Sequence, residues 1–218
     1  MSDVRAEALA STIDLDPYKP LLIVDADEVL FHFMATFQEF IESRGHAFQF
    51  ESYALNGNVL DAPGGPASSK ESVGALIQAF FGERTRNMPA DPAAAPAIAR
   101  LQADGVQAVV LSNVPLKAAD DRRHALEASA FKMALAPWSG PKGAAVAALA
   151  AKTKGPCAFV DDIAHHHVSV AETAPDVHRL HYVTHPTLRR LLGTVEAAHE
   201  QADSWPNLED IIRVRLLS

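Results

Sequence analysis

"VDADEVL" (residues 24–30) and "FVDDIAHHH" (residues 159–167) each set a close pair of carboxylates directly after an apolar, β-branched run. Asp25 and Asp27 follow "LLIV" (21–24); Asp161 and Asp162 follow "CAFV" (157–160). Charge at the end of a buried strand is costly unless something compensates it. The surrounding sequence indicates what does.

Outward from the first stretch, Phe33, Phe37, Phe40 and Ile41 recur at helical spacing, so a helix is expected over 31–44, with Gly45 as its stop. This aromatic stripe reads as packing. A loop-rich stretch, "NGNVLDAPGGPASSK" (56–70), comes next, and Ser69 is placed to cap a helix running to about residue 81. The second half alternates. Strands are expected at 106–111, 132–137, 157–160 and 179–183. Helices are expected around 98–104, 116–130, 141–152, 164–174, 186–192 and 205–216. Residues 1–19 read as an irregular arm ending in the turn "DPYKP".

Strands alternating with helices imply a mostly parallel sheet covered on both faces. The expected fold is therefore α/β, a three-layer α/β/α Rossmann-like sandwich, with a small helical insertion after the first strand. In such sheets ligands bind at the carboxyl ends of the strands. Asp25, Ser112, Asp161, Asp162, Thr184 and His185 all fall there. The acids thus point to a shared crevice.

Bulk properties narrow the function. The 218 residues suffice for one substantial core. A formal net charge of −8 supplies no basic surplus for nucleic acid, so no nucleic-acid partner is expected. No segment reads as a secretion signal or a membrane span, so no membrane partner and a cytoplasmic location are expected. The single cysteine, Cys157, precludes an internal disulfide and reads as an inert, buried thiol.

Four short motifs occur in order after predicted strands or at a helix start: "DADEV" (25–29), "LSN" (111–113), "PKG" (141–143) and "VDD" (160–162). Together they resemble the haloacid dehalogenase-like (HAD) hydrolase superfamily, over roughly residues 18–30 and 90–218. The residues also make sense as a unit. Two carboxylates about 4 Å apart repel by roughly 4 kcal/mol at an effective dielectric near 20, and a phosphate adds further negative charge. A cation is needed. Oxygen-only ligands select a hard one, and Mg2+ suits a phosphate substrate. Lys142 adds a fixed positive charge.

The resemblance implies specific roles. Asp25 would be the nucleophile that forms an aspartyl-phosphate, and Asp27 the acid that protonates the leaving oxygen and then activates water. Ser112 would bond a phosphoryl oxygen with Asn113 close by, and Lys142 would neutralise developing charge. The metal would be held by Asp25, the Asp27 backbone carbonyl and Asp162, with Asp161 nearby. The resemblance also implies a core of residues 1–30 and 89–218 and a small helical cap of residues 31–88. Cap residues Arg44, Tyr53, Asn56, Arg84 and Arg86 are candidate substrate contacts.

The expected activity is a phosphatase acting on a small phosphorylated metabolite, such as a sugar phosphate or a nucleotide monophosphate. A phosphomutase shares the same residues, and a non-catalytic phosphate-binding scaffold is the alternative from another class. An acid at Asp27 disfavours the dehalogenase branch, and the lone cap lysine, Lys70, disfavours the Schiff-base phosphonate branch. The family often has a further Asp or Asn where this chain has His165, His166 and His167. Adjacent histidines on a helix point in different directions, which argues against a dedicated zinc site. One of the three could face the crevice, and His32 could touch substrate or simply pack. The oligomeric state is open.

Overall fold

The computed structural model describes residues 2–218. In chain order its elements are α1 (Ser2–Ser11), β1 (Leu21–Val24), α2 (Phe33–Glu42), β2 (Ala47–Phe48), β3 (Val59–Leu60), α3 (Lys70–Arg84), α4 (Ala94–Ala103) and β4 (Gln107–Ser112). They continue as α5 (Ala119–Ala128), β5 (Ala134–Pro137), α6 (Gly143–Ala150), β6 (Cys157–Asp161) and α7 (Ala164–Thr173). The chain ends with β7 (His178–His181), α8 (Pro186–Leu192), β8 (Glu200–Gln201) and α9 (Trp205–Leu216).

Six strands form one parallel sheet in the order β5-β4-β1-β6-β7-β8. β1 is all apolar because it lies inside this sheet with both faces covered. Successive side chains alternate between the faces. Leu22 and Val24 enter a core with α4 and α9, whereas Leu21 and Ile23 enter one with α1, α6 and α7. Val24 pairs with Val110 on one side and Val160 on the other. That register brings Asp25, Ser112 and Asp161 to one carboxyl edge of the sheet. None of the helices among the described residues is long and apolar enough to cross a membrane.

Between β1 and β4 lie α2, the antiparallel β2–β3 hairpin and α3. Ser69 caps α3, its side chain accepting from Ser72 N. Phe37, Phe40 and Phe80 are fully buried, and Phe37 and Phe40 each meet Phe80 edge-to-face, with Phe37–Phe80 centroids 5.3 Å apart. All three stripe aromatics pack as the spacing predicts, Phe33 from a partly buried position against Phe37, Phe80 and Phe81.

The N-terminal segment corrects the sequence reading. It is not an irregular arm; residues 2–11 form α1, which packs on α6 through Ala6 and Ala10. Lys152 Nζ closes the C-terminal end of α1 by donating to the carbonyls of Ala10, at 2.8 Å, and Ile13. The helix escapes apolar-periodicity reading because its buried face is alanine. β8 and the β2–β3 hairpin were not anticipated either, being only two residues per strand. The Cys157 thiol is partly buried and pushed up to about 11 by that burial, in keeping with an inert group.

Candidate active site

The site grows from the end of β1. Asp25 N donates to Val160 O at 2.9 Å, which fixes the strand end beside β6. The chain then turns tightly: the amides of Leu30 and Phe31 both donate to Ala26 O. Inside this turn Glu28 adopts a left-handed backbone, φ 61°. That conformation costs a side-chain-bearing residue about 1–2 kcal/mol. Compensating bonds hold it. Glu28 accepts from Thr184 Oγ1 and from Met34 N at 2.8 Å, and its carbonyl accepts from Thr184 N at 2.8 Å. Burial pushes the Glu28 carboxyl up to about 7, against the bonds from Thr184 and Met34.

Lys142 stands at the N-terminal end of α6 and is buried. Its Nζ bridges Asp25 Oδ1, at 2.5 Å, and Asp161 Oδ2, at 2.7 Å. Gly143 permits this placement. A Cβ there would lie 2.3 Å from Ser169 O and 2.4 Å from Thr173 Oγ1, so only glycine lets α6 approach α7 this closely. The "PKG" motif thus joins a charge to a close helix contact.

Burial raises the Asp25 carboxyl to about 7, the Lys142 charge opposing the shift and Asp161 adding to it. Burial would raise Asp161 too, but there Lys142 prevails and holds it below the ordinary range. Burial and the neighbouring Asp25 and Glu28 charges raise Asp162 well above its usual value. For Lys142 the two carboxylates outweigh the effect of burial, and its ammonium is raised.

A metal fits this donor set. Carboxylate oxygens of Asp25, Asp161 and Asp162 lie within 4.8 Å of one another, and all three residues are buried. Oxygen-only donors with excess negative charge suit a hard divalent cation. Asp162 Oδ1 is buried without a hydrogen-bond partner, while Oδ2 accepts from Tyr53 OH. Asp161 is more constrained: Oδ2 is bonded to Lys142, and Oδ1 accepts from Ile163 N at 2.8 Å.

The remaining predicted residues divide. Asp27 lines the same cavity and accepts from Arg122 Nη2. Ser112 is fully buried, and its Oγ accepts from Val114 N at 3.2 Å, leaving its own proton to donate. Asn113 lines the cavity and donates to Gly140 O at 3.0 Å. Of the five candidate contacts between β1 and β4, only Tyr53 reaches the cavity wall. Arg44 pairs with Glu83, Arg86 with Asp121, and Arg84 lies over Phe40.

His166 lines the cavity, His165 is exposed, and His32 is half-buried outside the lining. His167 and His181 do structural work: their Nε2 atoms lie 3.0 Å from the carbonyls of Asp161 and Asp162 respectively. A carbonyl only accepts, so each Nε2 carries the proton and donates.

Two residues escaped the sequence reading. Arg122, on α5, is fully buried, with its Cζ 4.7 Å from the Phe31 ring centroid. No local pattern distinguishes it from Arg123 beside it. Glu28 did carry a signal, since it extends the acidic run "DADE" at the strand end. Asp25, Asp27, Glu28, Asn113, Lys142, Asp162 and His166 line a cavity of about 360 Å³, and Arg122 stands behind Asp27 outside that lining.

No family model matches the sequence, and no curated protein matches it. Solved structures do match. A HAD family hydrolase from Deinococcus radiodurans R1, with bound phosphate and sodium, is 14% identical. The match covers 91% of this chain and 96% of that one, with a TM-score of 0.57. A haloacid dehalogenase-like protein from Agrobacterium tumefaciens C58 is 14% identical over 89% of this chain and 97% of its own, TM-score 0.54. A phosphoserine phosphatase from T. onnurineus is 12% identical over 92% and 98%, TM-score 0.50. The chain thus shares the fold of haloacid dehalogenase-like hydrolases of known structure.

Proposed function

We propose that this protein is a magnesium-dependent phosphatase that hydrolyses a small phosphomonoester through an aspartyl-phosphate on Asp25. One observation carries the reading: Lys142 bridges Asp25 and Asp161 beside the unpartnered Asp162 Oδ1, with Asp25, Lys142 and Asp162 lining one cavity. A nucleophile, a fixed cation and a free metal-seeking oxygen converge there.

Asp25 supplies the attacking oxygen. A bond forms from it to phosphorus as the ester P–O bond breaks, and Asp27 gives its proton to the leaving oxygen. Arg122 fixes one oxygen of Asp27 while the group works. In the second half, Asp27 takes a proton from water, whose oxygen attacks phosphorus and frees Asp25 and inorganic phosphate. Lys142 balances charge on Asp25 and on the phosphoryl oxygens, and the Ser112 hydroxyl donates to one of them. Asp161 holds Lys142 in place. Asp25, Asp162 and the Asp27 carbonyl would hold magnesium, which would supply neutralisation of the phosphoryl charge. Residues 31–88 serve as a cap over residues 1–30 and 89–218, keeping bulk water from the phosphoenzyme.

The test is hydrolysis of p-nitrophenyl phosphate with magnesium, with EDTA, and with Asp25→Asn. Turnover that falls at least a thousandfold in the variant and is lost in EDTA supports the reading. Equal rates for wild type and variant overturn it.

A further inference from the structure

The cavity has two chemically distinct ends. Asp25, Asp27, Lys142 and Asp162 form a charged floor at the strand ends. The apolar part of the lining is Phe33, Met34, Tyr53, Leu55, Ile77 and Phe81, all from the segment between β1 and β4. The Tyr53 hydroxyl is turned to Asp162. Its ring packs with Phe33 and Leu55 against the cluster that contains Met34.

No cation serves this wall. Lys142 is the only Lys or Arg among the described lining residues, and both its carboxylate partners already engage it. Arg44 Nη2 donates to both carboxylate oxygens of Glu83, at 2.7 and 2.8 Å, with the Arg44 Cζ 3.7 Å from the Phe40 ring centroid. Arg86 is held by Asp121 at 3.2 Å. A second phosphate or a carboxylate on the leaving group would meet no counter-charge. A polyol would fare little better. The lone amide side chain in the lining, Asn113, donates to Gly140 O; the unpartnered His166 Nδ1 belongs to α7, in the field of Asp161 and Lys142 and not to the apolar segment; and buried hydroxyls without partners are costly.

We infer that the cavity accepts the apolar leaving group of a phosphomonoester: an uncharged alkyl or aryl alcohol, rather than a sugar or a nucleoside. This rests on the phosphatase reading and deepens it. The phosphoryl group sits on the floor at Asp25, and the hydrocarbon lies against Phe33, Ile77 and Phe81. A volume of about 360 Å³ is at the small end for a ligand site, which fits an aryl or short alkyl group rather than a long chain.

The experiment is calorimetric titration of the protein, in saturating magnesium, with methyl-, butyl-, hexyl- and phenylphosphonate and with 3,4-dihydroxybutylphosphonate. Phosphonates resist hydrolysis, so binding is read without turnover. Affinity should rise about fourfold per methylene from methyl to butyl. Phenylphosphonate should bind at least tenfold more tightly than methylphosphonate, and the dihydroxy compound should lose the gain of its butyl parent. Ile77→Asn should flatten the series; if that variant does not fold, the wild-type series alone decides.

A flat series, a dihydroxy compound equal to butyl, or no binding by any phosphonate overturns the inference. A rising series with no monoester hydrolysed would sink the phosphatase reading and leave the apolar pocket standing. Turnover of p-nitrophenyl phosphate with a flat series would do the reverse.

Discussion

Lys142→Met tests the electrostatic logic of the site directly. Methionine keeps most of the stem and removes only the charge. In the wild type the ammonium lies 2.5 Å from Asp25 and 2.7 Å from Asp161, and its side chain is 1% exposed. At an effective dielectric near 20, a pair about 2.7 Å apart attracts by roughly 6 kcal/mol. Removing the ammonium from water opposes that by several kcal/mol. The variant keeps two buried carboxylates facing each other, and deleting one partner of a buried pair costs about 3–5 kcal/mol. We expect a loss of that size at pH 7.

Trp138 and Trp205 are buried reporters for urea denaturation by fluorescence, run in EDTA so that no added ion substitutes for the lysine. The loss should shrink toward pH 5. Burial already lifts Asp25 to about 7 with Lys142 present, and without it the folded state takes up a proton more readily still. A carboxyl raised in the folded state contributes stability at low pH that disappears as pH rises through its folded value. Adding Asp161→Asn should recover at least half the loss, because the facing charge is gone. A destabilisation under about 1 kcal/mol at pH 7, or an equal cost in the Asp161→Asn background, would refute the reasoning.

Three further outcomes are expected. Gly143→Ala drives a Cβ into the α7 backbone at Ser169 and should cost about 3 kcal/mol, read as a lowered urea midpoint; an unchanged midpoint would show that α6 and α7 can separate freely. Arg122→Met should lower kcat about 10–100-fold with KM little changed, since Arg122 positions Asp27 without lining the cavity; a change confined to KM would contradict that role. Burial depresses His166 and His167 to about 4, so each resists protonation in the folded state but not in the unfolded one. The two histidines should therefore withdraw about 2 kcal/mol each between pH 7 and pH 5, against the opposing gain from Asp25 and Glu28, and His166→Leu should raise stability at pH 5 relative to pH 7 by about 2 kcal/mol compared with wild type.

The strand-end positions were legible for a physical reason. "LLIV", "QAVVL" and "CAFV" are apolar at every or nearly every position, as strands covered on both faces must be, and the first polar residue marks where each strand leaves the core. Asp25, Ser112 and Asp161 are therefore readable from local pattern, and parallel register alone brings them together. Lys142 was legible because its motif opens a helix. α1 was not, because alanine at Ala6 and Ala10 buries a face without an apolar signal.

Side chains that reach the site from elsewhere belong to the tertiary structure. Whether Tyr53 or Arg44 faces the cavity depends on how the β1–β4 segment folds back. Arg44 is captured by Glu83 thirty-nine residues away, and Tyr53 by Asp162 across 109. Arg122 meets Asp27 only because α5 docks beside the first turn. Periodicity along the chain determines which residues end strands and which bury a face. Long side chains from separate elements meet only when the packing angles of those elements are set, and no short-range pattern encodes such angles.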